Sequence, residues 1–370
     1  MRWLVPLVLG CATPEGPAED DVPPDEPPAW RPPGEVGGYA VGARTVRLER
    51  DDLGPLTVEV WYPAVATDSD VPGPYEEGVL RFEGHAIRDA PADPRGGPRP
   101  VVAFSHGNGG IRFQSFFLAE HLASHGFVVV APDHAGTTLL DYRPDATAES
   151  AVRRPRDIAD AADVVADLDG LDVDARTYAV VGHSFGAWTA LAVGGAVLDA
   201  PAFEALCAAA DPPAGCRYFR DQTFDLEAAA AYARPDPRAR VVVGLAPGAW
   251  YTFGTSGEGL GAVRRVLLVG GKLDDELPFD PETTGAYAAL GTPKALAAVE
   301  GAGHWQFTDL CPVLPIADCA GVPGGFAAPE LTHARVNELV TAWIGRHLLD
   351  DARADVGLGA RDGLTWESVP

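Results

Sequence analysis

An α/β architecture, with a mostly parallel central sheet and helices on both faces, is predicted by three features of this 370-residue chain. Six short runs, at residues 100–105, 127–131, 177–181, 240–246, 266–269 and 295–299, are almost continuously apolar. Strands covered on both faces read this way, because neither face meets water. Segments with apolar residues at helical spacing lie between several of these runs, which makes the connections crossovers and the strands parallel. Finally, the run at 177–181 enters Gly182-His183-Ser184-Phe185-Gly186 and then an alanine-rich stretch through Val193, a sharp turn from strand to helix with a serine at its tip.

At the N-terminus, Met1-Arg2 and the short apolar run through Gly10 have the form of a signal peptide, residues 1–11. Val8-Leu9-Gly10-Cys11 resembles a bacterial lipobox, which implies lipidation at Cys11. Residues 12–37, rich in Pro, Glu, Asp and Ala, lack the apolar content for a core and are expected to be a disordered tether. The domain is expected over 38–349. It opens with a hairpin, because residues 44–49 and 56–62 alternate polar with apolar around the turn residues Asp51-Asp52-Leu53-Gly54-Pro55. Residues 64–99 are Pro/Gly-rich and irregular. The strand at 100–105 leads through His106-Gly107-Asn108-Gly109-Gly110 into a helical segment at 113–124, and Ile158 to Leu168 supplies a helix before the 177–181 strand. Residues 199–239 break the alternation and read as a small inserted cap with a helical piece at 226–232. Glu330 to Leu349 is the closing amphipathic helix, and 350–370 a C-terminal tail.

The formal charge of -25, from 53 acidic against 28 basic residues, repels nucleic acid and anionic lipid surfaces. Nucleic-acid binding is therefore excluded, membrane contact is expected only through a lipid anchor, and the chain is expected to be a monomer. Of the five cysteines, Cys11 stands alone, while Cys207/Cys216 and Cys311/Cys319 form close pairs in Pro-rich segments. In an exported chain these imply two local disulfides, with four unrelated thiols as the alternative.

Ser184 is the candidate nucleophile. A serine hydroxyl needs an imidazole to take its proton, and the imidazole needs a carboxylate to fix its tautomer. The loop after 266–269 offers Asp274 or Asp275, with Glu276 and Asp280 read as solvated acids. The loop after 295–299, Gly301-Ala302-Gly303-His304-Trp305, offers His304, whereas His333 and His347 belong to the closing helix. A tetrahedral oxyanion needs preorganised N–H donors. Phe185, following the serine, supplies one, and Gly107, Asn108 or Gly109 the other. His106 and His183 are assigned structural roles. Trp250, Trp305 and Phe113 are candidate walls of a substrate pocket.

Taken together, His106-Gly107-Asn108-Gly109-Gly110, Leu122-Ala123-Ser124-His125-Gly126-Phe127 and Gly182-His183-Ser184-Phe185-Gly186 resemble the platelet-activating-factor acetylhydrolase-like and predicted dienelactone-hydrolase-like α/β-hydrolases of bacteria. The resemblance implies the α/β-hydrolase fold and serine carboxylesterase activity without metal or cofactor. It implies Ser184 as nucleophile, Asp274 as acid (four residues before Pro278), His304 as base, and Asn108 and Phe185 as the oxyanion hole. Two departures keep the substrate open. No acid follows strand 240–246, where the animal acetylhydrolases carry theirs, and the nucleophile is Ser184 rather than the cysteine of true dienelactone hydrolases. The expected substrates are short to medium acyl esters, with polyesters as the second choice. A non-catalytic surface protein binding a hydrophobic ligand or partner is the competing class.

Overall fold

The computed structural model describes residues 26–213, 216, 235–313, 317–319 and 325–370. Cys11, residues 12–25 of the tether and the helical piece expected at 226–232 lie outside the described residues.

Among the described residues the strands form a ten-stranded sheet and a separate two-stranded hairpin. β1 (Ala40–Leu48) and β2 (Leu56–Ala64) are the expected opening hairpin. Within the stretch expected to be irregular, β3 (Tyr75–Glu77) and β4 (Leu80–Phe82) pair with each other, and β5 (Ile87–Arg88) lies parallel to β1. β6 (Arg99–Ser105), β7 (Val128–Pro132), β8 (Val173–His183), β9 (Ala239–Leu245), β10 (Val266–Gly271) and β11 (Lys294–Val299) are the six apolar runs. They are mutually parallel, and with β12 (Leu364–Val369) the order is β12-β11-β10-β9-β8-β6-β7-β2-β1-β5.

Side chains alternate between the faces of a strand, and each face carries its own core. Val101, Ala103, Val180, Val242 and Leu268 pack on one side with α2 (Thr147–Val164), α3 (Phe185–Val193), α4 (Ala200–Cys207) and α5 (Thr284–Ala289). Val102, Phe104, Val181, Val243 and Leu267 pack on the other with α1 (Phe116–Ser124) and α6 (Pro329–Leu348). From β6 the chain crosses to β7 on one side, then returns to β8 on the other side of β6. The loops after β6 and β8 therefore diverge at a topological switch point, where open α/β sheets hold their ligands.

Three boundaries differ from the sequence reading. The ordered structure starts before residue 38: His121 Nε2 donates to Pro33 O and His125 Nε2 to Glu35 O, each at 2.8 Å, and Gly37 N–H donates to Ser124 Oγ at 2.8 Å. Mostly backbone groups make these contacts, so composition does not reveal them. Residues 350–370 are not a tail, since β12 pairs antiparallel with β11 and covers that edge of the sheet. Of its residues only Leu364 is buried, which leaves no apolar pattern to read. Finally, α2 begins eleven residues before Ile158 and contains Pro155. Of the expected cap, α4 is described, its N-cap Asp199 Oδ1 accepting from Ala202 N–H at 3.0 Å. Cys207 and Cys216 are disulfide-bonded, as are Cys311 and Cys319. Among the described residues no helix is long and apolar enough to cross a membrane.

His333 on α6 stacks on Phe117 with ring centroids 3.7 Å apart, and its Nε2 donates to Thr308 O at 3.2 Å. Burial pushes its pKa down to about 4 from an ordinary 6.5. Between those values the unfolded chain holds the extra proton, so stability is complete above pH 6.5 and is lost as pH falls toward 4. Phenylalanine keeps the stack and removes the titration. Urea unfolding of wild type and His333→Phe should show the variant gaining about 3 kcal/mol relative to wild type between pH 7.5 and pH 4. A pH-independent difference would refute this account.

Candidate active site

β8 delivers Ser184 to a strained turn. Its φ of 56° and ψ of -118° lie outside the usual regions for a side-chain-bearing residue. The turn closes because its flanking glycines lack side chains: a Cβ on Gly182 would come within 2.0 Å of Gly186 O, and one on Gly186 within 1.9 Å of Ser105 O. Ser184 N–H donates to Leu245 O at 2.9 Å, tying the tip to the end of β9. From Tyr178 to Val193, Ser184 is the one residue that is not buried. The local sequence thus folds so as to expose a single hydroxyl.

His304 and Asp274 come from the ends of β11 and β10. His304 Nδ1 lies 2.8 Å from Asp274 Oδ2, and both residues are buried, at 3% and 7% exposure. Asp274 Oδ1 is held by the N–H groups of Glu276 and Leu277 at 3.0 and 2.8 Å. The carboxylate accepts the Nδ1 proton, so Nε2 carries the free lone pair a general base needs. Asp275 is exposed. The structure thus separates the two acids that the sequence left open.

The loop after β6 runs alongside the serine. A Cβ on Gly107 would lie 3.5 Å from Ser184 Cβ and 3.2 Å from His183 Nδ1. Gln114 ties this loop to the turn, Oε1 accepting from Gly107 N–H at 3.1 Å and Nε2 donating to His183 Nδ1 at 3.1 Å. His183 Nε2 in turn donates to His304 O at 2.9 Å. The residue preceding the serine therefore links the loops of Gly107 and His304. Among the described residues nothing accepts from the Asn108 N–H, while Asn108 Nδ2 donates to Tyr142 OH at 3.3 Å. Phe185 begins α3, where helix N–H groups point outward. Burial pushes the pKa values of His106 and His183 well below the ordinary histidine value, reinforced by charge from Arg154 and from His304 respectively. Both rings are neutral hydrogen-bonding struts.

The aromatic candidates separate. Trp305 stands edge-on to His304, ring centroids 5.7 Å apart, and is half-buried. Trp250 is half-buried against Tyr251, Gly257 and Gly285. Phe113 is not a pocket wall: at 1% exposure it packs on Tyr75 and Phe82 inside the core. Its place just after the glycine loop suggested a pocket, but its side chain turns into the α1 face of the sheet.

Three supports escaped the sequence reading: Gln114, which ties the glycine loop to the serine turn, Asp318 and Arg154. Asp318, enclosed by the Cys311–Cys319 bridge, accepts from Trp305 N–H through Oδ2 at 2.7 Å, and Gln306 Nε2 donates to Asp318 O at 3.0 Å. The disulfide loop thus braces the segment carrying His304. Arg154 reaches the glycine loop from α2, and Pro155 beside it disguised the helix. Among the described residues no cluster of His, Cys, Asp or Glu is placed to hold a metal ion.

The N–H groups of Gly107, Gly109 and Gly110 are engaged by Gln114 Oε1, Thr137 O and Gly107 O, so a flexed serine, an imidazole with Nδ1 on a carboxylate, and the Asn108 N–H of the neighbouring loop can together perform acyl transfer. No curated protein matches the chain. Among solved structures it is similar to a ferulic acid esterase from Streptomyces cinnamoneus, with a TM-score of 0.60 and 22% identity, covering 93% of this chain and 99% of that one. That likeness is one of fold. The family model described as the alpha/beta hydrolase family matches residues 101–318, more than half of the chain and the whole span from β6 to Asp318 that holds these groups. The chain belongs to the alpha/beta hydrolase family.

Proposed function

We propose that this chain is a serine carboxylic ester hydrolase acting on short to medium acyl esters. The observation that carries the reading is the buried 2.8 Å His304–Asp274 pair at the same sheet end as the one unburied residue of the β8–α3 turn, Ser184. Ser184 Oγ attacks the ester carbonyl as His304 Nε2 takes its proton, and the N–H groups of Asn108 and Phe185 stabilise the oxyanion. Collapse expels the alcohol, which receives that proton from His304. Water, deprotonated by His304, then attacks the acyl-enzyme, and as the acyl–Oγ bond breaks His304 returns that proton to Ser184 Oγ and the carboxylic acid leaves. The acetylhydrolase-like and dienelactone-hydrolase-like resemblance of the three motifs agrees with this chemistry. Trp305 beside His304 offers an apolar wall for the acyl group.

A panel of p-nitrophenyl esters graded from acetate to palmitate, with methyl ferulate and a polyester film added, tests the reading. Highest kcat/KM at four to eight acyl carbons is expected. Preference for the film would favour polyester hydrolysis instead, and no turnover of any ester would favour a binding protein. We also propose export, with Cys11 lipid-anchored and the two disulfides formed on the way, since such bridges persist in oxidising compartments. Wild type expressed in a bacterial host should partition into detergent and Cys11→Ala into the aqueous phase. Identical partitioning would refute the anchor.

A further inference from the structure

A trans peptide points its carbonyl and its N–H in opposite directions, so whatever grips the Gly107 carbonyl aims the Asn108 N–H. Three donors grip it: His106 Nδ1 at 2.7 Å, Arg154 Nη2 at 3.2 Å and, from within the loop, Gly110 N–H at 3.2 Å. Arg154 Nη1 also donates to His106 O at 2.5 Å, while Nη2 reaches Thr137 Oγ1 and Nε reaches Ser150 Oγ, both at 3.0 Å. The guanidinium lies over the Phe185 ring, with Cζ 4.1 Å from the centroid. One side chain therefore touches the supports of both proposed oxyanion donors. It is fully buried, and among the described residues it forms no ion pair with a carboxylate. Burial lowers its pKa, opposed by the charge of Asp157, but a guanidinium starts high enough to stay charged at neutral pH. His106 is fixed in turn, its Nε2 accepting from His134 N–H at 3.0 Å. The His134 ring lies between Ser105 Oγ and Asp157 Oδ2, 2.9 Å from each. This second Ser-His-Asp string is wholly buried, so no substrate reaches it, and it serves as a brace.

We propose that Arg154 is a positioning residue for the oxyanion step: it holds the Gly107–Asn108 peptide with its N–H presented beside Ser184, seats Phe185, and adds a buried positive charge behind the developing oxyanion. Keeping a cation buried with no carboxylate in ion-pair contact, the charge of Asp157 reaching it only at longer range, is costly to a fold, and here it stands behind the place where negative charge would form. The inference rests on reading Ser184 as nucleophile and Asn108 N–H as an oxyanion donor.

The test compares wild type, Arg154→Met, Arg154→Lys and the double variant Thr137→Val/Ser150→Ala. The readouts are p-nitrophenyl butyrate kinetics, inhibition by a trifluoromethyl ketone whose serine adduct is a tetrahedral oxyanion, and circular dichroism for folded fraction. Arg154→Met should lose about 10²-fold in kcat per folded enzyme with KM changed less than about 3-fold. The ketone should weaken in proportion to kcat/KM, which a merely structural role would not produce. Arg154→Lys, with the charge but not the fork, should fall between. The double variant, which loosens the guanidinium without removing it, should lose about 10-fold in kcat. If Arg154→Met does not fold, the double variant decides alone, and unchanged kcat and ketone affinity there overturn the proposal. Wild-type kcat in folded Arg154→Met overturns it as well. Wild type inactive on every ester and unlabelled at Ser184 by a fluorophosphonate sinks the esterase reading and this inference with it, whereas active wild type with unaffected variants sinks the inference alone.

Discussion

Ser184→Ala should lower kcat for p-nitrophenyl butyrate by about 10⁵-fold or more while leaving KM within a few-fold. The substitution deletes the atom that forms the acyl bond, and the β8–α3 turn has no second hydroxyl to replace it. Ser105 Oγ at the end of β6 and Thr189 Oγ1 on α3 are both fully buried and hydrogen-bonded, to His134 Nε2 and Phe185 O. The fold should persist, because the tip is tied through its backbone, with Ser184 N–H on Leu245 O, and alanine meets the same φ constraint that serine already bears. Residual hydrolysis above that of water would come from the donors beside Gly107 and Phe185, whose geometry the substitution leaves intact. Steady-state kinetics with fluorophosphonate labelling decide the matter. Equal rates for wild type and variant, or labelling of the variant at the wild-type rate, would remove Ser184 from the chemistry, whereas a wild type that neither turns over ester nor takes the label would favour a ligand-binding role for the chain.

Much of this site was legible because its parts sit at the ends of strongly patterned strands. Six buried parallel strands announce themselves as apolar runs, and the loops after four of them carry Gly107, Ser184, Asp274 and His304. Glycines whose side chains would collide with backbone, such as Gly182 and Gly186, mark the turn directly. What remained illegible depends on long-range contact. Arg154 lies in a stretch where Pro155 normally ends a helix, yet packing of Ala148, Ala151, Ile158 and Ala161 on the sheet carries α2 straight through. Gln114 acts through the His183 ring 69 residues on, and Asp318 through the Trp305 N–H 13 residues back, and nothing in their own neighbourhoods encodes either contact. β12 and residues 26–37 are held mainly by main-chain hydrogen bonds, to which hydropathy is blind. Phe113 fails in the opposite sense, since an aromatic beside a functional loop looks the same in sequence whether it faces substrate or core.

The acid is where local sequence is most ambiguous, and two isosteric variants separate the possibilities. Asp274→Asn should lower kcat by about 10⁴-fold, equivalent to about 5.5 kcal/mol in the barrier, whereas Asp275→Asn should stay within about 2-fold of wild type. The amide can keep its oxygen on the N–H groups of Glu276 and Leu277, where Asp274 Oδ1 now sits, which turns its NH₂ toward His304 Nδ1. A donor facing Nδ1 makes that nitrogen the acceptor and moves the ring proton to Nε2, so the imidazole presents a proton to Ser184 instead of a lone pair. The variant also loses the carboxylate that stabilises the imidazolium formed during attack. Stability should change little, because size, burial and the two backbone bonds are preserved. Asp275 is exposed and one residue further along the loop, so its charge is largely screened by water and its replacement leaves the tautomer untouched. Measuring kcat for both variants on p-nitrophenyl butyrate settles the assignment: a loss confined to Asp275→Asn would refute the 2.8 Å pair as the working one, and equal losses would mean that the loop rearranges when substrate binds.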